Sequence, residues 1–356
     1  MRLLVINGPN LDLLGTRQPE VYGAGTLSDL ETHLIAFGKE LGVEVEVSQS
    51  NHEGEIVETI HRAHADGLVI NPGALSHTSR AIADALHAVG LPAVEVHISN
   101  VRERESWRAL SVISDACVAT IYGRGIEGYA NAIRHLVNRA ALPLQTVRYG
   151  PHPDNVGDLR LGQSGMVVLV HGGVWRQQYR RDTIESLAVD LTQRGYHTWN
   201  IEYRTFGTGG GWPGSGHDVL TALDHTPQLD LEGPLTVIGH SAGGYLAMWS
   251  APRSRAEVAL CVGLAPVMDL EDAVASGEVL AHESGLLLDA GAPSPVSPGK
   301  VPTIVVHGTR DDIVPVRHST ALARREGIEI LEIDAGHFEL IDPARPHWEW
   351  VIDHLS

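Results

Sequence analysis

Two different α/β domains in tandem, the first built on an open, doubly wound parallel sheet, are what this sequence predicts. Three observations carry the prediction. At 356 residues the chain is long for one hydrophobic core and long enough for two. Short Val/Ile/Leu-rich runs alternate with helix-period stretches along its whole length, the pattern of parallel strands covered on both faces. The series is broken at Ala140-Ala141-Leu142-Pro143, and no motif recurs across that break, so the halves are different folds and not a repeat.

In residues 1–143 the strand-like runs are Leu3–Asn7, Val43–Ser48, Leu68–Asn71, Ala93–Ile98 and Ala116–Ile121. Helical patterns lie near 27–41, 54–65, 78–89 and 125–140, and Thr26 with Asp29 reads as a capping-box start for the first. Five such strands give a flavodoxin-like, doubly wound five-stranded parallel sheet. In residues 144–356 the strand-like runs are Met166–Val170, His197–Glu202, Leu235–Ile238, Val258–Leu264, Thr303–Val306 and Glu329–Ile333. Helical patterns lie near 181–194, 216–225, from 242 onward, near 317–326 and near 344–354. The stretch 266–300 is short and Pro/Ser/Gly-rich toward its end, so any cap it forms is small.

Composition removes several functions. Lys+Arg of 26 against Asp+Glu of 44 gives a formal charge of −18, and neither half is basic, so nucleic acid and anionic membranes are not expected partners. Hydrophobic residues at 43% and charged residues at 20% exclude a disordered chain. The two cysteines, Cys117 and Cys261, are too few for a disulfide framework or a cysteine metal site, and fit a reducing cytosol. Leu3-Leu4-Val5-Ile6 is too short for a signal-peptide core, and no run approaches the ~20 apolar residues of a membrane helix. The expectation is a soluble, cytoplasmic protein.

Ligands of open α/β sheets bind beyond the carboxyl ends of the strands, so polar residues there are the candidates. The loop after the first strand, NGPNLDLLGTRQPEVYG, carries Asn10, Arg17 and Tyr22. A guanidinium near a phenol favours the phenolate, which is a base. The third strand runs into NPGALSHTS, with Asn71 and His77. The fourth ends EVHISN, followed by VRERESWR. Strand alternation puts Glu95 and His97 on one face, where a carboxylate fixes the imidazole tautomer and raises its proton affinity, giving a general acid–base unit. Each of these residues alone is more often structural, as an NG turn or a solvated arginine; their convergence on one sheet edge points to a site.

These segments, together with QSNHEGE (49–55) and GIEGYANAI (125–133), resemble type II 3-dehydroquinate dehydratase over about residues 1–141. The resemblance implies conversion of 3-dehydroquinate to 3-dehydroshikimate, in the shikimate pathway, by anti elimination of water through an enolate. It implies no metal, no cofactor and no Schiff-base lysine; Lys39 is the lone lysine of this half. By the same resemblance Tyr22 takes the proton alpha to the ketone, and Arg17 shares its lid loop and stabilises the phenolate. Asn10 helps hold the enolate, and His97, oriented by Glu95, protonates the departing hydroxyl. Asn71 and the backbone amides of Ile98 and Ser99 hold the substrate carboxylate. Arg108, His77 and Asp84 bind the ring hydroxyls, Asp84 coming from a neighbouring subunit. The family forms homo-oligomers, trimers assembling into dodecamers. The sequence departs from the pattern at Arg102, where a His is common, and at Trp107, where a Phe is.

In the second half, GHSAGG (239–244) follows the apolar run Leu235–Ile238 and opens a helical stretch. That is the context of a G-x-S-x-G nucleophile elbow, whose tight turn around Ser241 needs small neighbours. An acid and a histidine follow in the order such enzymes use. VVHGTRDDIVP (305–315) offers Asp311 and Asp312, and GHFELID (336–342) supplies His337. Spacing to Val314-Pro315 favours Asp311, with Asp312 the alternative. LVHGGVW (169–175) resembles the loop whose amides complete an oxyanion hole, making Gly172, Gly173 and Ala242 the candidate donors. His171 and His307 are read as shaping their loops, and Cys261 as a buried strand residue.

Together these motifs resemble an α/β-hydrolase over about residues 145–356, of the esterase and kynurenine formamidase-like group, with VRYGPHPDNVGDLRL (147–161) as its lead-in. The resemblance implies that Ser241 attacks an ester or amide carbonyl, His337 shuttles the proton, Asp311 holds His337, and water hydrolyses the acyl-enzyme. It leaves the substrate, an ester or amide, unnamed. Trp175, Trp212 and Tyr245 are candidates for an aromatic pocket, Trp212 equally for a packing anchor. His61 and His64 have no third ligand, and GTGGG (207–211) has no following Lys-Ser/Thr, so neither a metal site nor a phosphate loop is expected. The whole reads as a bifunctional enzyme; the alternative is that one domain is silent and serves assembly or binding.

Overall fold

The computed structural model describes residues 1–277 and 279–355. The chain divides into two units, Met1–Ala141 and Leu142–Ser356. In the first the elements are β1 (Arg2–Asn7), α1 (Pro19–Tyr22), α2 (Leu27–Glu40), β2 (Glu44–Gln49), α3 (Glu53–His61), β3 (Gly67–Asn71), α4 (Arg80–Val89), β4 (Ala93–His97), β5 (Ala119–Tyr122) and α5 (Glu127–Ala141). The strands pair in parallel in the order β2-β1-β3-β4-β5.

Alternation along β1 decides what covers each face. Leu3 and Val5 pack with Leu30 and Leu34 of α2 and Ile133 and Leu136 of α5. Leu4 and Ile6 pack the other way, with Ile56 and Ile60 of α3 and Ile82 and Leu86 of α4. Thr26 and Asp29 form the expected capping box, with Thr26 N 2.9 Å from Asp29 Oδ2 and Asp29 N 3.2 Å from Thr26 Oγ1. Two local features differ from expectation. The fifth strand begins at Ala119, because Ser114–Ala116 curl into a 3-10 turn that takes up their amides. The loop after β1 contains the short helix α1, which starts on Pro19, whose missing N–H suits a first helical position.

The second unit contains β6 (Gln145–Arg148), β7 (Val156–Arg160), β8 (Met166–Val170), α6 (Glu185–Gln193), β9 (His197–Ile201), α7 (Gly214–His225), β10 (Leu235–His240), α8 (Ala242–Ser250), β11 (Val258–Leu264), α9 (Leu270–Ala275), α10 (Ala281–Asp289), β12 (Thr303–Gly308), α11 (Arg317–Glu326), β13 (Glu329–Ile333) and α12 (Pro346–Leu355). Its eight strands run in the order β13-β12-β11-β10-β8-β9-β7-β6. β6 and β7 are antiparallel to their neighbours, and the other pairs are parallel. Met166, Val168 and Val170 of β8 face one core with residues of α7 and α8, while Val167 and Leu169 face the other with Leu187, Leu191, Trp348 and Val351.

The sequence pattern does not announce β6 and β7. Residues of β6 are largely exposed, and β7 carries Asp158 and Arg160, which read as surface charges. Both are buried and paired: Arg181 Nε lies 2.7 Å from Asp158 Oδ2, and Arg160 Nη2 2.5 Å from Glu185 Oε1. The stretch after Pro266, expected to form at most a small cap, holds two short helices, α9 and α10; Asp269 caps α9 through the Asp272 amide at 3.0 Å.

Candidate active sites

The first cluster forms beyond the carboxyl ends of β1, β3 and β4. Glu95 and His97 share a face of β4 and meet there, with His97 Nε2 2.7 Å from Glu95 Oε1. Both are buried. Glu95 also accepts from Ser111 Oγ at 2.8 and 3.0 Å and from Thr120 Oγ1 at 3.3 Å. With Glu95 accepting, His97 donates through Nε2 and leaves Nδ1 for chemistry.

Tyr22 ends α1 and is half-buried. The Arg17 guanidinium carbon lies 5.1 Å from its ring centroid and that of Arg104 5.7 Å. Arg104 Nη1 donates to the Tyr22 hydroxyl at 2.6 Å and to Ser99 Oγ at 3.3 Å, so one guanidinium joins the loop after β1 to the end of β4. Sequence reasoning does not single out Arg104. It is one of three arginines in VRERESWR, and spacing alone does not say which one turns inward; Arg102 stacks over Tyr122, at 4.9 Å.

His77 stacks on His97 with ring centroids 6.1 Å apart and meets Trp107 edge-on at 5.1 Å. Its Nδ1 donates to the Leu110 carbonyl at 2.7 Å. Burial, aided by the neighbouring His97 and Arg108, pushes its pKa down, so the ring is neutral near pH 7 and Nε2 is an open acceptor. Arg108 stacks over Trp107 at 4.0 Å and donates to Glu105 at 2.7 Å, at the rim of the same cluster. Asn71 is buried, donating from Nδ2 to the Tyr129 hydroxyl at 2.8 Å and accepting from the Gly73 amide at 3.2 Å. The Tyr129 hydroxyl in turn donates to Asn7 Oδ1 at 2.7 Å, a relay the sequence does not reveal. The carbonyls of His97, Ile98 and Ser99 accept from the amides of Gly123 and Gly125, which fixes the peptide planes carrying the Ile98 and Ser99 amides. Asn10, at φ 68°, is exposed, and its amide is held by Asn51 Oδ1 at 2.8 Å. Asp84 is exposed on α4, and among the described residues no contact joins it to the cluster.

In the second unit β10 ends at His240 and α8 begins at Ala242, leaving Ser241 between them at φ 54° and ψ −120°. That strained backbone, between a strand and a helix, is the geometry expected of a nucleophile elbow. The turn needs its small neighbours: a Cβ on Gly243 would sit 2.2 Å from the Val170 carbonyl oxygen, and one on Gly172 2.9 Å from Ser241 Cβ. The second contact also places the HGG loop against the serine. Ser241, His337 and Asp311 are 2%, 5% and 8% exposed, so all three are shielded from bulk water.

Of the two candidate acids it is Asp311 that meets His337, Oδ2 to Nδ1 at 2.7 Å, while Asp312 is exposed. Asp311 Oδ1 accepts from the amides of Ile313 at 3.0 Å and Val314 at 2.8 Å. Burial works to raise its pKa, but the hydrogen bonds from His307, His337 and Val314 outweigh that and hold it well below the usual carboxylate range. His240 packs on His337 with centroids 4.6 Å apart and donates to its carbonyl at 3.2 Å. Burial and the adjacent His337 push His240 well below the ordinary imidazole range, so it adds no charge beside the histidine.

His307 bridges Ser319 Oγ at 2.6 Å and the Val314 carbonyl at 2.7 Å, which ties the loop carrying Asp311. Cys261 is buried in β11, and burial pushes its thiol up to about 12, which makes it a poor nucleophile. Trp175 and Tyr245 are fully buried core residues, and the Tyr245 hydroxyl donates to the Pro293 carbonyl at 2.8 Å, so neither opens onto a pocket. Trp212 is half-buried and packs edge-on against Trp249, at 4.8 Å, as an anchor.

Comparison with known proteins bears on the two domains. The family model described as Dehydroquinase class II matches residues 1–137. A catabolic 3-dehydroquinase of Pyricularia oryzae is 51% identical over 141 residues, 38% of this chain and 90% of that protein. The first 137 residues belong to the class II dehydroquinase family. A 3-dehydroquinate dehydratase of Bacillus pumilus is 50% identical to the dehydroquinase domain over 137 residues, 38% of this chain and 93% of its own length. In the rest of the chain, the family model described as BD-FAE matches residues 160–260. An inhibited esterase B of Lactobacillus rhamnosis superposes with a TM-score of 0.51 at 17% identity, covering 65% of this chain and 94% of that one, which shows the α/β-hydrolase fold. The chain is thus a dehydroquinase domain followed by an α/β-hydrolase domain.

Proposed function

We propose that the chain carries two working active sites: a dehydratase for 3-dehydroquinate and a serine hydrolase for an ester or amide. The reading of the first rests chiefly on Tyr22, with Arg17 and Arg104 against one phenol. Two guanidiniums stabilise negative charge on the phenolic oxygen, which then takes the proton alpha to the ketone. His97 Nδ1, its far nitrogen committed to Glu95, delivers the proton to the departing hydroxyl. The neutral His77 accepts from a ring hydroxyl through Nε2, with Arg108 beside it. Asn71 uses its remaining Nδ2 hydrogen, with the Ile98 and Ser99 amides, on the carboxylate, and Asn10 steadies the enolate. Asp84, exposed on α4, completes the site of a neighbouring copy in a trimer-based assembly. No step needs a metal or a cofactor. The test is formation of the conjugated enone from 3-dehydroquinate: Tyr22→Phe is expected to lose about 10³-fold or more in kcat. Undiminished activity in that variant overturns the base assignment.

For the hydrolase the carrying observation is the Asp311–His337 pair beside the Ser241 elbow. Asp311 fixes His337 with its proton on Nδ1, freeing Nε2 to take the Ser241 proton and pass it to the leaving group. The amides of Gly173 and Ala242, with Gly172 lining the turn, receive the developing oxyanion. A fluorophosphonate probe is expected to label the protein at Ser241, and labelling that persists in Ser241→Ala would sink the assignment.

A further inference from the structure

Behind the HGG loop of the hydrolase domain lies a buried charged chain that the proposed triad does not use. His171 is fully buried, its ring stacked on Tyr203 with centroids 4.3 Å apart. Its Nε2 lies 2.8 Å from Glu202 Oε1, and its Nδ1 2.8 Å from the Gly172 carbonyl oxygen. A carboxylate and a carbonyl only accept, so each is placed to take a ring N–H of His171. Glu202 is held in turn by Arg180 Nε at 3.0 Å and the Arg181 amide at 3.2 Å. Burial works to raise the Glu202 pKa, but Arg180, His171 and Arg181 overcome it and keep the carboxylate ionised. Arg180 continues to Asp154 at 2.8 Å, and Arg181 to Asp158 at 2.7 Å.

The Gly172–Gly173 peptide is planar and trans, so its N–H points opposite to its C=O. With the carbonyl committed to His171, the Gly173 amide points away from His171, and among the described residues it has no acceptor. Gly172 is the residue whose Cβ would touch Ser241, and Gly173 sits at φ 107°. Val174 and Trp175 follow at φ 53° and 55°, a conformation that non-glycine residues hold only when their surroundings impose it. We propose that His171, clamped by Glu202, is a positioning residue of the hydrolase: it keeps the Gly172–Gly173 peptide turned so that the Gly173 N–H faces the oxyanion on the Ser241 adduct. Without this clamp the peptide can rotate and present its carbonyl oxygen, which repels the oxyanion.

The proposal rests on Ser241 as the nucleophile, and the experiment separates the two. The full chain is first tested for fluorophosphonate labelling and p-nitrophenyl ester hydrolysis. No Ser241-dependent labelling overturns the hydrolase reading, and this proposal with it. With labelling present, His171→Gln is expected to lower kcat about 100-fold and Glu202→Gln about 10-fold, with KM within about twofold. Affinity for an aryl trifluoromethyl ketone, whose adduct places an oxyanion in the hole, falls by the same factors. Folded variants with unchanged kcat and ketone affinity overturn the proposal, as does a loss confined to KM. If His171→Gln does not fold, Glu202→Gln is read in the same way. Nitrogen NMR of the unaltered protein gives an independent reading: hydrogens on both His171 ring nitrogens support the clamp, and one bare nitrogen overturns it.

Discussion

The two candidate sites stand at the same place in the same kind of sheet, beyond the carboxyl ends of parallel strands, yet they are built in opposite ways. In the hydrolase domain the serine, histidine and aspartate are buried, and hydrogen bonds from several elements fix them. In the dehydroquinase domain the Glu95–His97 pair and Asn71 are fixed in that way, and other residues of the cluster are not. Tyr22, Arg17 and Arg104 are half-buried on loops, and Asn10 and Asp84 are exposed. The first kind of site is pre-organised by its own core, so substrate binding has little to assemble. The second leaves the proposed base, Tyr22, in the segment after β1, where the proposed mechanism has substrate and a neighbouring copy complete the site.

The contrast can be sharpened in three steps of decreasing effect. Arg104→Gln removes the guanidinium that ties Tyr22 to Ser99, and is expected to cost about 10²-fold in kcat for dehydration while leaving ester hydrolysis within twofold. An equal loss in both activities would mean that the domains are not independent catalysts. Acid should act the other way. Asp311 and Glu202 have pKa values depressed by folding, so their contribution to stability is complete above the unfolded carboxylate range near 4 and is lost as pH falls through and below it. Thermal midpoints, followed as each activity remaining after heating, should therefore fall more steeply for hydrolysis than for dehydration as pH drops from about 4 to about 3, and parallel falls would contradict this. The smallest effect is expected from Tyr129→Phe. It takes one hydrogen bond from Asn71 and one from Asn7, at a cost of about 1–2 kcal/mol in stability, and should raise KM for 3-dehydroquinate several-fold with kcat little changed.

Much of this was legible in the sequence because the signals were local. A period of two in β1 and β8, an elbow between β10 and α8, and a carboxylate two residues before a histidine on β4 each need only a few consecutive residues. What stayed hidden depends on distant partners. Asp158 and Arg160 look like surface charges until Arg181 and Glu185 are brought to them. Arg104 is indistinguishable from Arg102 until the loop after β1 folds back. Tyr129 reads as core until Asn7 and Asn71 arrive at its hydroxyl. Asp311 and Asp312 are neighbours in sequence, and only the approach of His337 separates them.

The dehydroquinase unit is one uninterrupted stretch of chain that closes at Ala141, and this has a consequence during synthesis. At ribosomal speeds of about 5–20 residues per second, the rest of the chain takes roughly 10–40 s to appear. All five parallel strands of the first sheet are available before any strand of the second exists. Parallel pairing is slow and leaves edges open while it proceeds, and the Val/Ile-rich β8 and β12 would be ready competitors for those edges. Translation order keeps them apart in time, so two sheets of similar composition can share one polypeptide without exchanging strands.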